Sequence, residues 1–189
     1  MSLPTTPSQT VGPFFHLGLD PLNQGNLAGL RGTGDVMTIQ GRILDGDGEG
    51  VSDGLIEIWL ADSQGHYSHP EDRGGTTGGE VFRGFGRIST GSSGFFRVAV
   101  PKPGPVAGSE GALQAPHVVV TVFARGLLKQ LITRIYFPDE AANATDAILS
   151  RVPAERRSTL IARRVAGAEN LLEWNIILQG DGETVFFDF

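Results

Sequence analysis

The sequence predicts an all-β protein, a single-domain sandwich of about eight strands with an extended N-terminal arm and one or two short helices. Three observations carry that prediction. From Val36 the residues alternate, with Met37, Ile39, Gly41 and Ile43 on one face and Thr38, Gln40 and Arg42 on the other. That is the two-residue period of a half-buried strand. The 27 glycines and 11 prolines, a load that long helices tolerate badly, fall between the apolar runs as turn punctuation. The runs are short and closely spaced, as in a sandwich or barrel.

Taken in order, residues 1–35 are rich in Pro, Gly, Asn and Thr and read as an arm that needs something else to lie against. Residues 36–189 form the sandwich. Its predicted strands are the run from Val36, then Leu55–Leu60, Phe95–Val100, His117–Ala124, Leu131–Phe137, Leu160–Val165, Leu172–Leu178 and Val185–Phe189. Asp45-Gly46-Asp47-Gly48-Glu49-Gly50 reads as a turn. It has acidic spacing like that of a calcium loop, but Ile56 stands where the loop's closing Glu belongs and no helical pattern flanks it. Gly167-Ala168-Glu169-Asn170 reads as a hairpin turn. Helix is expected over Asp139–Leu149, with a single turn at Pro153–Arg157.

Composition then narrows the function. With 189 residues the chain is long enough to bury a real core. A net charge of −6 gives no basic footprint for nucleic acid and disfavours anionic membranes. No cysteine is present, which excludes disulfides, zinc fingers and thiol catalysis. The opening residues carry no basic region followed by an apolar run, and no stretch approaches the roughly 18 apolar residues of a membrane span. A cytoplasmic location is the expectation.

Candidate ligands are therefore His16, His66, His69, His117, Tyr67 and Tyr136, with the carboxylates. Taken alone, His66-Tyr67-Ser68-His69 reads as an exposed polar loop. His117, at the head of a Val-rich strand, reads as a hydrogen-bonded structural residue. Arg125 reads as a surface arginine just past a strand end.

The ordered set changes this reading. Leu55-Ile56-Glu57-Ile58-Trp59, Gly65-His66-Tyr67-Ser68-His69, Phe85-Gly86-Arg87, Lys102-Pro103-Gly104-Pro105, Pro116-His117 and Arg134-Ile135-Tyr136-Phe137 fall in the order and spacing of the intradiol ring-cleaving dioxygenases, which the whole chain resembles. The opening Thr6-Pro7-Ser8-Gln9-Thr10-Val11-Gly12-Pro13-Phe14, the segment Phe123-Ala124-Arg125-Gly126 and the closing Gly182–Phe189 resemble the α-type subunits of its hetero-oligomeric members.

The resemblance implies a non-haem Fe(III) held by two tyrosinates and a His-x-His pair, whose two rings share one face of a strand. Tyr67 and His117 match the first tyrosine and first histidine. Val106 and Val119 stand where the second of each belongs. The expectation is that this chain binds no metal, that Tyr67 and His117 are vestigial, and that a homologous β subunit holds the iron. Thr10, Gly12, Pro13 and Arg125 would then reach the partner's substrate cavity, with Arg125 supplying fixed positive charge there. The implied reaction is cleavage of 3,4-dihydroxybenzoate by O₂ to 3-carboxy-cis,cis-muconate. Two other readings are a self-sufficient enzyme with an atypical metal site and a non-catalytic binding or assembly module.

Overall fold

The computed structural model describes residues 7–12, 14–27, 35–72, 82–108 and 111–188. Strands dominate them: β1 (Val36–Leu44), β2 (Leu55–Leu60), β3 (Phe85–Ser89), β4 (Phe95–Pro101), β5 (Val106–Ala107), β6 (Leu113–Gln114), β7 (His117–Phe123), β8 (Leu131–Tyr136), β9 (Arg163–Arg164), β10 (Leu171–Glu173) and β11 (Ile176–Ile177). One sheet is built on β1, which pairs antiparallel with β4 and parallel with β10 and β11, while β9 extends it beyond β10. The other runs β3-β2-β7-β8, every pair antiparallel. β5 and β6 form a separate ribbon.

The main core lies between the two sheets. Met37, Ile39 and Ile43 of β1 and Phe96, Val98 and Val100 of β4 belong to one cluster with Ile56, Ile58 and Leu60 of β2 and Val118, Val120 and Val122 of β7. The alternation read in the sequence from Val36 is thus the inward face of β1. Because β7 spends its even-numbered positions on this core, its odd positions, His117, Val119 and Thr121, project from the other face of the sheet. A smaller cluster of Ala115, Tyr136, Leu149, Val152 and Leu160 covers part of that outer face.

Several elements differ from the sequence reading. Leu172–Leu178 divides into β10 and β11, although its register against β1 is the same on both sides of the break. At the break the Arg42 amide donates to the Asn175 side chain, Oδ1, at 2.9 Å instead of to a backbone carbonyl. The backbones come so close there that a Cβ on Gly41 would lie 1.7 Å from the Trp174 carbonyl oxygen, so only glycine fits. Leu160–Val165 yields just the two residues of β9, since 3₁₀ turns run over Ala154–Leu160. Val185–Asp188 forms no strand but bridges singly, Phe187 to Ile132, and Phe189 lies outside the described residues. Asp139–Leu149 holds a 3₁₀ turn at Ala141–Ala144 and not an α-helix. β3 was not anticipated, because Gly86, Arg87 and Ser89 hide its one deep apolar residue, Ile88.

The α-helix found is α1 (Phe14–Leu19), in the arm, continued by a 3₁₀ turn at Asp20–Leu22. Beyond it the arm lies against the sheets. The Gln24 amide donates to the Arg87 carbonyl, the Leu27 amide to the Ala99 carbonyl, and Leu27 is fully buried in the main core. Both predicted turns are present. Asp45 Oδ1 accepts the amides of Asp47 and Glu49, and the Ala168 amide closes on the Val165 carbonyl ahead of β10.

Candidate functional site

Strand register assembles the four positions that the resemblance assigns to metal ligands. On β7, His117 and Val119 share the outer face. Across the ladder on one side, His117 pairs with Tyr136 and Val119 with Arg134. On the other side Val119 pairs with Trp59, and the Tyr67 ring stacks on Trp59 with centroids 5.7 Å apart. The loop bearing Tyr67 is fixed by Asp62, whose Oδ1 accepts the amides of Gln64 and His66. It is also pressed onto the segment leading to Val106. Gly65 has φ +86°, and a Cβ there would lie 1.9 Å from the Pro105 carbonyl oxygen. Val106 pairs in turn with Gln114, whose Oε1 accepts a 2.7 Å hydrogen bond from Arg134 Nη1.

Arg134 therefore sits in the middle of this arrangement. It is the cross-strand neighbour of Val119 and the hydrogen-bond partner of the residue facing Val106, and its charge acts on Tyr67, His117 and Tyr136. Burial drives His117 down to about 4, and the Arg134 charge pushes the same way, so the imidazole is neutral near pH 7. Its Nδ1 lies 2.7 Å from the Ala115 carbonyl oxygen, which can only accept, so the proton resides on Nδ1. The reading of His117 as a hydrogen-bonded residue at a strand entrance agrees with this. Tyr67 is half-buried and stacked rather than freely exposed, and desolvation raises its hydroxyl above the usual phenol value. His66 Nδ1 lies 3.4 Å from Asp72 Oδ1, and His69 Nδ1 accepts the Glu71 amide, so both histidines serve their own loop.

This donor set does not fit Fe(III). A hard, highly charged cation needs several anionic oxygen donors to compete with water and hydroxide. Here two of the four positions carry valine, the remaining phenol is held toward its protonated form, and a guanidinium lies among them. Among the described residues, no three His, Asp or Glu come together as a metal cluster.

Sequence reasoning missed Asp146, which organises the neighbouring interior. It is completely buried. Its Oδ2 accepts the Ala115 amide at 2.8 Å, while Oδ1 accepts the Tyr136 hydroxyl at 3.0 Å and the amides of Ile148 and Leu149 at 3.0 and 2.7 Å. An aspartate two residues before an apolar pair, in a stretch read as helix, gave no sign of this role.

The residues assigned to substrate lie elsewhere. Thr10 Oγ1 accepts the Gly126 amide at 2.8 Å, which lays the start of the arm beside Arg125. Gly12 has φ +68° and open space where a side chain would be. Pro13 is outside the described residues. The Arg125 side chain is 65% exposed, and its Nε lies 3.0 Å from Asp53 Oδ2. Arg125 follows the far end of β7 from His117, eight residues on, or roughly 25 Å at strand rise. The structure thus brings Thr10 and Arg125 together and keeps them apart from the Tyr67–His117 region.

A family model described as "Dioxygenase" matches residues 11–180. The chain is 41% identical to the protocatechuate 3,4-dioxygenase alpha chain of Burkholderia cepacia, over 99% of this chain and 98% of that one. It is 29% identical to the beta chain from the same organism, over 96% of this chain and 78% of the other. Among solved structures, the dioxygenase domain of a dioxygenase–carbohydrate-binding protein fusion from Streptomyces sp. SirexAA-E is similar, with a TM-score of 0.63 and 26% identity over 93% of this chain and 98% of that one. Fold, ordered motifs and relatives agree, and the chain belongs to the intradiol ring-cleaving dioxygenase family.

Proposed function

We propose that this chain is the α subunit of a protocatechuate 3,4-dioxygenase, a cytoplasmic enzyme in which a homologous β subunit holds the Fe(III). The chain itself forms one sandwich domain, residues 36–189, with residues 1–35 as an arm. The observation that carries the reading is the separation along β7. Thr10 and Arg125 lie at the end away from His117, which supports their serving a site in another chain rather than the Tyr67–His117 position of their own.

The surface of the arm supports a partner of this kind. No residue of α1 is buried, and Phe14, Leu17 and Leu22 leave large apolar side chains exposed. Such a patch on a folded chain marks an interaction site.

The reaction adds both atoms of O₂ to 3,4-dihydroxybenzoate and opens the ring between its two hydroxyl-bearing carbons, giving 3-carboxy-cis,cis-muconate. Ferric iron on the partner supplies the activation of the diol. This chain's share is to position an anionic aromatic substrate and to exclude water around it. Arg125 offers a fixed guanidinium for a carboxylate, and the Gly12 backbone allows close approach of the ligand.

Co-expression tests this. The chain alone is expected to show no ring-cleaving activity, and co-purification with a β-type partner to yield a complex that converts 3,4-dihydroxybenzoate to the muconate. Failure of the two chains to associate, or full activity of this chain alone, would overturn the reading.

A further inference from the structure

Arg125 is not held by its own strand. It stands two residues beyond Phe123, the last residue of β7, with its side chain 65% exposed and one side against a carboxylate. That carboxylate is Asp53. The β2–β7 ladder pairs Leu55 with Phe123, and continuing the same antiparallel register two residues outward sets Asp53 opposite Arg125. The carboxylate lies mostly out of solvent, its side chain 16% exposed, on the turn that leads into β2.

The contact is ionic. Asp53 Oδ2 is buried and accepts no hydrogen bond from any described residue, yet Arg125 Nε stands 3.0 Å from it. A buried carboxylate oxygen without a donor is costly unless a cation neutralises it, so Asp53 fixes where the guanidinium must be. Approach at Nε also leaves the two terminal nitrogens without a partner among the described residues. Those form the planar fork that meets a carboxylate bidentately. The Thr10–Gly126 hydrogen bond holds the following residue from the other direction, so the backbone and the head of Arg125 are each restrained.

We propose that Asp53 is a positioning residue for the ring-cleaving reaction, aligning the Arg125 fork toward the carboxylate of the aromatic substrate in the partner's cavity. The inference rests on the reading of Arg125 given above and adds a second, ionic determinant to it. Asp53 touches no substrate. It acts by limiting the rotamers of a long side chain that would otherwise be free in solvent.

The test uses the complex with a β-type partner and the variants D53N, D53A, R125Q and D53A/R125Q, each matched to wild type for assembly and melting temperature. D53N keeps the shape of the residue and guards against loss of fold. The expected result is a KM for 3,4-dihydroxybenzoate raised about tenfold in D53A and less in D53N, with kcat within about twofold, the loss of one oriented charge-assisted contact. The double variant should be no worse than R125Q alone, because Asp53 acts only through Arg125. Wild-type KM in D53A together with impaired R125Q would overturn the role of Asp53 and leave that of Arg125 standing. A double variant clearly worse than R125Q would overturn it as well. Wild-type kinetics in R125Q would remove both.

Discussion

Replacing Arg125 by glutamine in the assembled complex is expected to lower kcat/KM for 3,4-dihydroxybenzoate about ten- to a hundredfold, and to cost about 1–3 kcal/mol of stability. The magnitude follows from losing one charge-assisted interaction with an anionic substrate, about 1.5–3 kcal/mol, at about 1.4 kcal/mol for each tenfold in rate. The stability side follows from place. Its side chain is 65% exposed at a strand end, but its one ion pair among the described residues is with Asp53, whose carboxylate is mostly buried. Removing the cation leaves that buried carboxylate oxygen without a partner among the described residues, at a cost of about 1–3 kcal/mol. Steady-state kinetics beside a melting curve separate the two effects. Unchanged kcat/KM in a correctly assembled R125Q complex would mean that this guanidinium does not face the substrate.

Asp146→Ala has the opposite signature, large on stability and indirect on chemistry. It would leave three amides, of Ala115, Ile148 and Leu149, and the Tyr136 hydroxyl without their acceptor in a fully buried place. Each buried polar group left unpaired costs about 1–3 kcal/mol, part of which entering water recovers. A loss of about 3–5 kcal/mol is expected, a large share of the roughly 5–15 kcal/mol that holds a domain folded. Tyr136→Phe removes one of the four partners and should cost about 1 kcal/mol. Denaturant midpoints for the two variants measure the ratio. Equal midpoints would show that Asp146 is not the node from which the 3₁₀ segment and the β6–β7 connection are held.

The strands legible in the sequence were those that bury one whole face. β1, β2, β4, β7 and β8 each carry the apolar alternation or near-continuous run that a sandwich interior requires. β3 was hidden by Gly86 and Arg87, although backbone pairing with β2 suffices to form it. The close of the chain was overread. Val185-Phe186-Phe187 is apolar enough for a strand, but the Thr133 hydroxyl and the Ile132 carbonyl each bond one residue of it, and no ladder develops.

The site was legible in its losses and not in its replacements. Valine at 106 and 119 is visible in the sequence once the family pattern is laid over it. That Arg134 lies between those positions depends on the β7–β8 and β5–β6 registers, which sequence spacing does not state. The same is true of Asp53. It stands 72 positions before Arg125 and meets it only because β2 and β7 pair in one register.

On the function proposed above, this chain has given up the metal and works on a partner's. Iron content with a visible spectrum tests it most directly, on the chain purified alone and on the complex with a β-type partner. Iron at background level and no tyrosinate charge-transfer band are expected in the chain alone, with both present in the complex. Stoichiometric iron and the same band in the isolated chain would contradict it.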